Sequence, residues 1–183
     1  MKAPSRIDTA RLTLVAPTAD DARDIFERYA SDAEVTRYLG WPRHRTLDDT
    51  HAFLTFCAGQ WQHSAAGAYL IRSRSDGRLL GSTGLTCTPP GEAMTGYVLA
   101  RDAWNCGYAT EALRAMIDLG RKCALRRLYA LCHPQHRASA RVLEKCLFSR
   151  DDQWNSPTEF PNLAPGSLQD AICYQLPLLA AET

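Results

Sequence analysis

The sequence predicts one mixed α/β domain, and three observations carry that prediction. The first is the stretch Tyr97–Ile117, where a short apolar strand runs into a glycine-bearing loop and then a long amphipathic helix. The second is the alternation, along the rest of the chain, of period-two apolar segments with segments that open on helix-capping signals. The third is size: 183 residues without internal repeats or an obvious linker are enough for one substantial core. The expected domain covers residues 1–183, with its core from about 9 to 177.

In chain order, Arg11–Ala16 alternates and predicts a strand. Thr18-Ala-Asp-Asp21 is a capping-box pattern, and the helix behind it should bury Ala22, Ile25, Phe26 and Tyr29. Asp32–Tyr38 reads as a short turn or helix closed by Gly40-Trp-Pro42. Thr46-Leu-Asp-Asp49 repeats the cap, with Phe53, Phe56, Cys57 and Gln60 continuing a helix. Ala68–Arg72 and Leu79–Leu85 predict two strands joined by a hairpin turn at Ser75-Asp-Gly77. Pro89-Pro-Gly91 breaks the chain before a strand at 94–99. In the long helix that follows, Ala109, Ala112, Leu113, Met116, Ile117, Gly120 and Ala124 share one apolar face. Arg127–Cys132 predicts a further strand, and Pro134 opens a helix to about Cys146 that carries Ser139, Val142 and Leu143. A loop-rich section from Asn155 to Gly166 leads to a last strand, Ala171–Leu176.

Composition narrows the function classes. With 21 Lys plus Arg against 20 Asp plus Glu, no net field favours nucleic acid or an anionic membrane. No apolar stretch approaches the ~20 residues of a membrane span, and Met1–Arg6 lacks the pattern of a signal peptide. Seven scattered cysteines read as free thiols in a reducing cytoplasm rather than as a disulfide framework.

The turn before the long helix is where chemistry is expected. A helix start offers unpaired N–H groups and partial positive charge, a seat for phosphate, and Gly107 permits positive φ and close approach of an anion. On its own, such a turn reads equally well as a plain strand-to-helix connection. Other constellations carry less. Cys132, His133 and His136 are spaced like metal ligands but lack the second pair that zinc sites show. Ser139 lies three residues after a histidine, without the strained turn of a serine nucleophile. His44 and His51 sit near a helix start, and Trp41, Trp61, Trp104 and Trp154 read as core or rim aromatics, the first two able to line a pocket.

With those residues in order, nearly the whole chain resembles the GNAT N-acetyltransferases, and more narrowly the RimJ/RimL group of ribosomal-protein N-terminal acetyltransferases. The resemblance rests on Thr9-Ala-Arg-Leu12, Glu34–Leu39 with Trp41-Pro42, Leu80–Leu85, Trp104-x-x-Gly107-x-Ala109 continuing to Leu113, and Ala138–Lys145 followed by Phe148. It implies a mixed, mostly antiparallel sheet flanked by helices, whose strands at 94–99 and 127–132 run parallel and splay apart around acetyl-coenzyme A. It implies that main-chain groups of Val98 and Leu99 pair with the pantetheine arm and thioester carbonyl. The turn from Trp104 through Asn105, Cys106, Gly107, Tyr108 and Ala109 to Thr110 would hold the pyrophosphate. His136 stands where an asparagine usually contacts the coenzyme, and Leu147 replaces a common glycine.

For catalysis, the resemblance implies direct attack of a primary amine on the thioester in a ternary complex, without a metal. The Leu99 N–H would stabilise the oxyanion and Ser139 would protonate the leaving thiolate. Met94 occupies the place of the usual glutamate base, which leaves Glu92, His136 and His51 as candidates. Without a strong base, an α-amine of pKa about 7.8 is favoured over a lysine near 10.4 by roughly 3.5 kcal/mol of deprotonation. The expected partners are acetyl-coenzyme A and a protein N-terminus or small amine, with no nucleic acid or membrane, in a monomer or homodimer. Met94, His136 and Leu147 also fit a second class, a catalytically weak acyl-coenzyme A sensor or interaction module of the same fold. A nucleotide-binding protein is a distant third, since neither a P-loop nor a full dinucleotide fingerprint is present.

Overall fold

A computed structural model of the chain describes residues 2–88, 91–154 and 156–178. Eight strands form one sheet in the order β1-β2-β3-β4-β5-β6-β10-β7. They are β1 (Arg6–Asp8), β2 (Leu12–Val15), β3 (Ala68–Ser73), β4 (Leu79–Thr88), β5 (Glu92–Leu99), β6 (Arg127–Cys132), β7 (Ser149–Arg150) and β10 (Ile172–Pro177). Strands β8 (Thr158–Glu159) and β9 (Leu168–Gln169) make a separate two-stranded ribbon inside the section expected to be all loop, whose first residue, Asn155, lies outside the described residues. Neighbours in the large sheet are antiparallel except β5 and β6. The mixed, mostly antiparallel sheet is therefore as expected.

Both capping boxes form. Asp21 accepts from the Thr18 amide at 2.7 Å and Asp49 from the Thr46 amide at 2.9 Å. The first opens α1 (Ala22–Ile25), which passes through a π turn (Phe26–Ala30); the second opens α2 (Leu47–His63). One expected core aromatic is displaced from the interior: Phe26 is half-buried, while on α2 Phe56 is 61% exposed. Asp32–Tyr38 is turns rather than helix, because the Asp32 side chain accepts from the amides of Glu34 and Val35 and so competes with a helical ladder. Both β4 and β5 are longer than expected, meeting near Gly91; Pro89 and Pro90 of the expected break lie outside the described residues.

Two helices cover one face of the sheet. In α3 (Tyr108–Lys122) Ala112, Leu113, Met116, Ile117 and Gly120 are buried, packing with Leu99, Leu128 and Ala130 in the main core. Next, α4 (Arg137–Lys145) begins after His136, its N-cap, rather than at Pro134, because the His133–His136 segment closes as a turn first. The opposite face carries α1 and α2 over a second core of Ile25, Tyr29, Leu54, Leu70 and Val98. Four of the seven cysteines are buried, Cys106 is exposed, and all are free thiols.

Candidate active site at the splayed strands

Parallel pairing between β5 and β6 covers only Glu92–Met94 against Arg127–Tyr129. Beyond it β6 stays with β10 as far as Cys132–Ile172, while β5 stays with β4 as far as Leu99–Gly81. The sheet thus opens into a gap that widens from Thr95 to Leu99, a run of roughly 13 Å at the usual strand rise. Ala100 donates to the Leu80 carbonyl at 2.8 Å, which fixes the alternation of the ladder. Both main-chain groups of Val98 therefore point at β4, and those of Tyr97 and Leu99 point at the gap. This corrects the expectation for Val98, whose N–H and C=O are spent inside the sheet. The indole Nε1 of Trp104 donates to the Leu99 carbonyl at 2.8 Å, so the Leu99 N–H is the donor left facing the opening.

At the wide end of the gap lies the turn. Asn105 has φ 60° and Gly107 φ 80°, two left-handed residues in three; asparagine is the residue after glycine that best tolerates this region. Among the described residues, no acceptor outside α3 meets the amides of Asn105 through Thr110. Six consecutive donors at a helix start are a fit for a diphosphate, and Gly107 serves as an N-cap without a side chain of its own to fill the site.

The turn is braced from outside. Glu111 accepts from the Thr9 hydroxyl (2.7 Å), the Arg11 amide (2.8 Å) and Arg11 Nε (2.7 Å), and Arg11 Nη1 donates to the Cys106 carbonyl at 2.9 Å. Burial pushes the Glu111 pKa up, but the hydrogen bonds from Thr9 and Arg11 outweigh it and the net shift is down. On this outer flank a groove of about 500 Å³ runs between α3 and the N-terminal strands, past Arg11, Arg114, Asp118 and Lys122. It also touches Gly107 and Thr110 at the start of α3 and runs from there along the helix, away from β5 and β6.

The far wall of the gap comes from α4 and the turn before it. The half-buried Tyr97 phenol lies 3.0 Å from both the carbonyl and the hydroxyl oxygen of Ser139. Burial raises the Tyr97 pKa, so the phenol keeps its proton. The Tyr38 ring stacks on His133 (5.0 Å) and His136 (4.8 Å), and Phe160 meets His133 edge-on at 4.9 Å. Burial first, then neighbouring His133, lowers the His136 pKa, which makes it a neutral imidazole at pH 7. Its ring nitrogens have no hydrogen-bond partner among the described residues, whereas His133 Nδ1 accepts from the Gln135 amide at 3.2 Å.

Other candidates fall away from this group. Glu92 sits at the closed end of the gap, paired with Arg127 at 3.1 Å, seven residues along β5 from Leu99. His51 is exposed on α2, and His44 is buried against Thr50 at 2.8 Å. Trp61 is core, edge-on to Tyr69 at 5.0 Å with its Nε1 on the Ala68 carbonyl. Cys132 and the two histidines do not converge as metal ligands; the thiol faces the carbonyls of His133 and His136. Sequence reasoning missed Arg11, Glu111, Tyr38 and Asn162 as parts of the site. An acidic residue one turn into α3 was the only signal for the first pair.

This geometry can be set beside known proteins. Residues 11–149 match the family model described as an acetyltransferase (GNAT) domain. The chain belongs to the GNAT family. An N-acetyltransferase of Bacillus licheniformis named p20, whose role is uncharacterised, is 27% identical over 146 residues, 78% of this chain and 82% of that one. Among solved structures, the microcin C7 self-immunity acetyltransferase MccE with acetyl-CoA and AMP superposes with a TM-score of 0.80 at 18% identity, covering 95% of this chain and 97% of that one. RimL, a ribosomal L7/L12 α-N-protein acetyltransferase solved with coenzyme A, gives 0.79 at 19% identity, over 94% and 98%. The chain is accordingly an acetyl-CoA-dependent acetyltransferase, and this GNAT enzyme's splayed β5–β6 pair belongs to its fold. No helix among the described residues is long and apolar enough to cross a membrane.

Proposed function

We propose that this enzyme acetylates a weakly basic primary amine, a protein N-terminal α-amine or a small-molecule amine, in the manner of the RimJ/RimL group. The observation that carries this reading is the make-up of the gap: the Leu99 N–H faces it from β5, and the His136 imidazole, without a hydrogen-bond partner among the described residues, stands at the start of α4, the helix that forms its far wall. Bound acetyl-CoA supplies the thioester whose acetyl group is transferred. The amides from Asn105 to Thr110 hold its diphosphate, and the open edges of Tyr97 and Leu99 align its pantetheine arm. Leu99 stabilises the negative charge that builds on the thioester oxygen. His136 takes the proton released by the attacking amine. The Tyr97 phenol can give its one proton to the Ser139 carbonyl or to Ser139 Oγ, and in the second arrangement the Ser139 hydroxyl proton is free to reach the departing thiolate.

The carboxylates near the gap are engaged elsewhere: Glu92 and Asp151 with Arg127, Asp32 and Glu34 with Arg101. A neutral imidazole matches an α-amine better than a lysine side chain, by the roughly 3.5 kcal/mol difference in deprotonation cost. Comparing acetylation of a peptide with a free N-terminus with that of an N-blocked peptide carrying an internal lysine tests the reading. Preference for the lysine defeats it. Met94, 37% exposed where a carboxylate base would serve, favours the alternative of a weakly catalytic acyl-CoA sensor. Release of free thiol with a panel of amines separates the two. One sheet takes strands from both ends of the chain, β1 to β10, which supports a single catalytic domain over residues 1–183 with its core from about 9 to 177, and seven free thiols support a cytoplasmic setting.

A further inference from the structure

One side chain holds three main-chain groups of a loop about 120 residues away in sequence. Asn162 Nδ2 donates to the carbonyl oxygens of Thr36 and Trp41, both at 2.8 Å, and its Oδ1 accepts from the Arg43 amide at 2.7 Å. That spends both of its amide protons and one acceptor site. Tyr38 stands between two of the anchored residues, stacked on the two imidazoles of the β6–α4 turn. Two residues before Asn162, Phe160 is 2% exposed and braces His133 from the other side. Three chain segments distant in sequence thus close over the end of β6, and one amide ties two of them together.

We propose that Asn162 is a positioning residue for the acceptor: it fixes Tyr38 as the wall against which the amine's own substituent lies, beside His136. The inference rests on the reading of His136 as the group that receives the acceptor's proton. It also names a substrate class. The wall is made of Tyr38, Phe160 and two imidazoles, and the acids of the same loop are already bound, Asp32 by both nitrogens of an Arg101 fork at 2.6 Å and Glu34 by the third. With the half-buried Tyr38 and His136 rings facing it, backed by the buried His133 and Phe160, and the loop's carboxylates occupied, the favoured amine carries a flat or apolar neutral substituent next to its nitrogen. An α-amine on a terminal phenylalanine fits the ring surfaces; one on a terminal aspartate gains none of that contact and desolvates a carboxylate beside rings whose neighbouring cation, Arg37, already lies 5.3 Å over Tyr38.

The test uses the full chain with acetyl-CoA and tripeptides of free N-terminus, Phe-Ala-Ala and Asp-Ala-Ala. Wild type should favour the first by tenfold or more in kcat/KM. Asn162→Ala should raise KM for Phe-Ala-Ala about tenfold while the calorimetric Kd for acetyl-CoA stays within twofold. Tyr38→Ala should do the same, and the double variant should be no worse than either single one, because both remove one wall. An unmoved KM, additive losses, or an equal fall in acetyl-CoA affinity would each overturn the inference. Should Asn162→Ala fail to fold, Tyr38→Ala decides alone, an unchanged KM being the contrary result. A wild type that acetylates nothing overturns the proposed function and this inference with it; an active one indifferent to both substitutions overturns the inference alone.

Discussion

Arg11 reaches across to the Cys106 carbonyl at 2.9 Å, and in doing so it aims the next residue. A peptide unit is planar, with its C=O and N–H on opposite sides. Drawing the Cys106 oxygen outward toward the guanidinium turns the Gly107 N–H inward, to the side on which the diphosphate is expected. Glu111 holds Arg11 there through Nε and the main-chain amide, and Arg11 also lies 4.7 Å over the Tyr108 ring. Arg11→Met should therefore weaken acetyl-CoA binding about tenfold in a calorimetric titration. Turnover of acetyl-pantetheine, which has no diphosphate to lose, should be unchanged.

The ends of α3 and α4 share a defect that can be repaired. Leu147 has φ 67° and Ala124 φ 55°, each one residue past the cap of its helix. The Leu147 amide donates to Glu144 and that of Phe148 to Leu143, the paired bonds of a Schellman ending; Ala124 and Leu125 repeat them on Arg121 and Gly120. A left-handed leucine costs about 1–2 kcal/mol, and at 81% exposure Leu147 returns little by burial. Leu147→Gly should stabilise the fold by about 0.5–1 kcal/mol, read as a raised midpoint in urea.

Removal of the Tyr97 hydroxyl tests the proton path to the leaving group. Tyr97→Phe should lower kcat about tenfold with KM for acetyl-CoA nearly unchanged, and Tyr97→Phe with Ser139→Ala should be no slower than Ser139→Ala alone. Additive losses would separate the two hydroxyls.

A proton-accepting His136 leaves a mark on the pH profile. With an acceptor that is neutral throughout, such as a hydrazide, kcat/KM should rise through an apparent pKa below the ordinary 6.5 and then stay flat. His136→Gln should erase that limb and slow turnover about a hundredfold. The same lowered pKa makes the fold a poorer proton acceptor than the unfolded chain, so His136 costs stability as pH falls below about 6.5. Asp32 has the opposite linkage: Arg101 holds its pKa down to about 2, and the stability it contributes above pH 4 is lost between about 4 and 2.

Much of this was legible before any coordinates. The alternation of β2, the apolar runs of β3 and β5, both capping boxes and the Gly107 turn follow from local rules of period and backbone conformation that a single sequence carries. The parallel, splayed pairing of β5 with β6 did not; it came from resemblance, since no local pattern records which strands meet. The acceptor side was least legible. Tyr38, His133, Phe160 and Asn162 come from three separate segments, and their meeting depends on hydrogen bonds between residues about 120 apart. Val98 failed for a subtler reason: its neighbour Leu99 differs only in which edge of the strand its amide faces, a parity set by the Ala100–Leu80 bond.

The central claim is that the Asn105–Thr110 amides and the Leu99 N–H receive acetyl-CoA within the β5–β6 gap. Titration of the isotopically labelled chain with acetyl-CoA, followed amide by amide in heteronuclear NMR spectra, addresses it directly. The account predicts the largest shifts at Leu99 and from Asn105 to Thr110, absent in Gly107→Val. Shifts confined to the groove past Arg114, Asp118 and Lys122 on the other flank of α3 would contradict it.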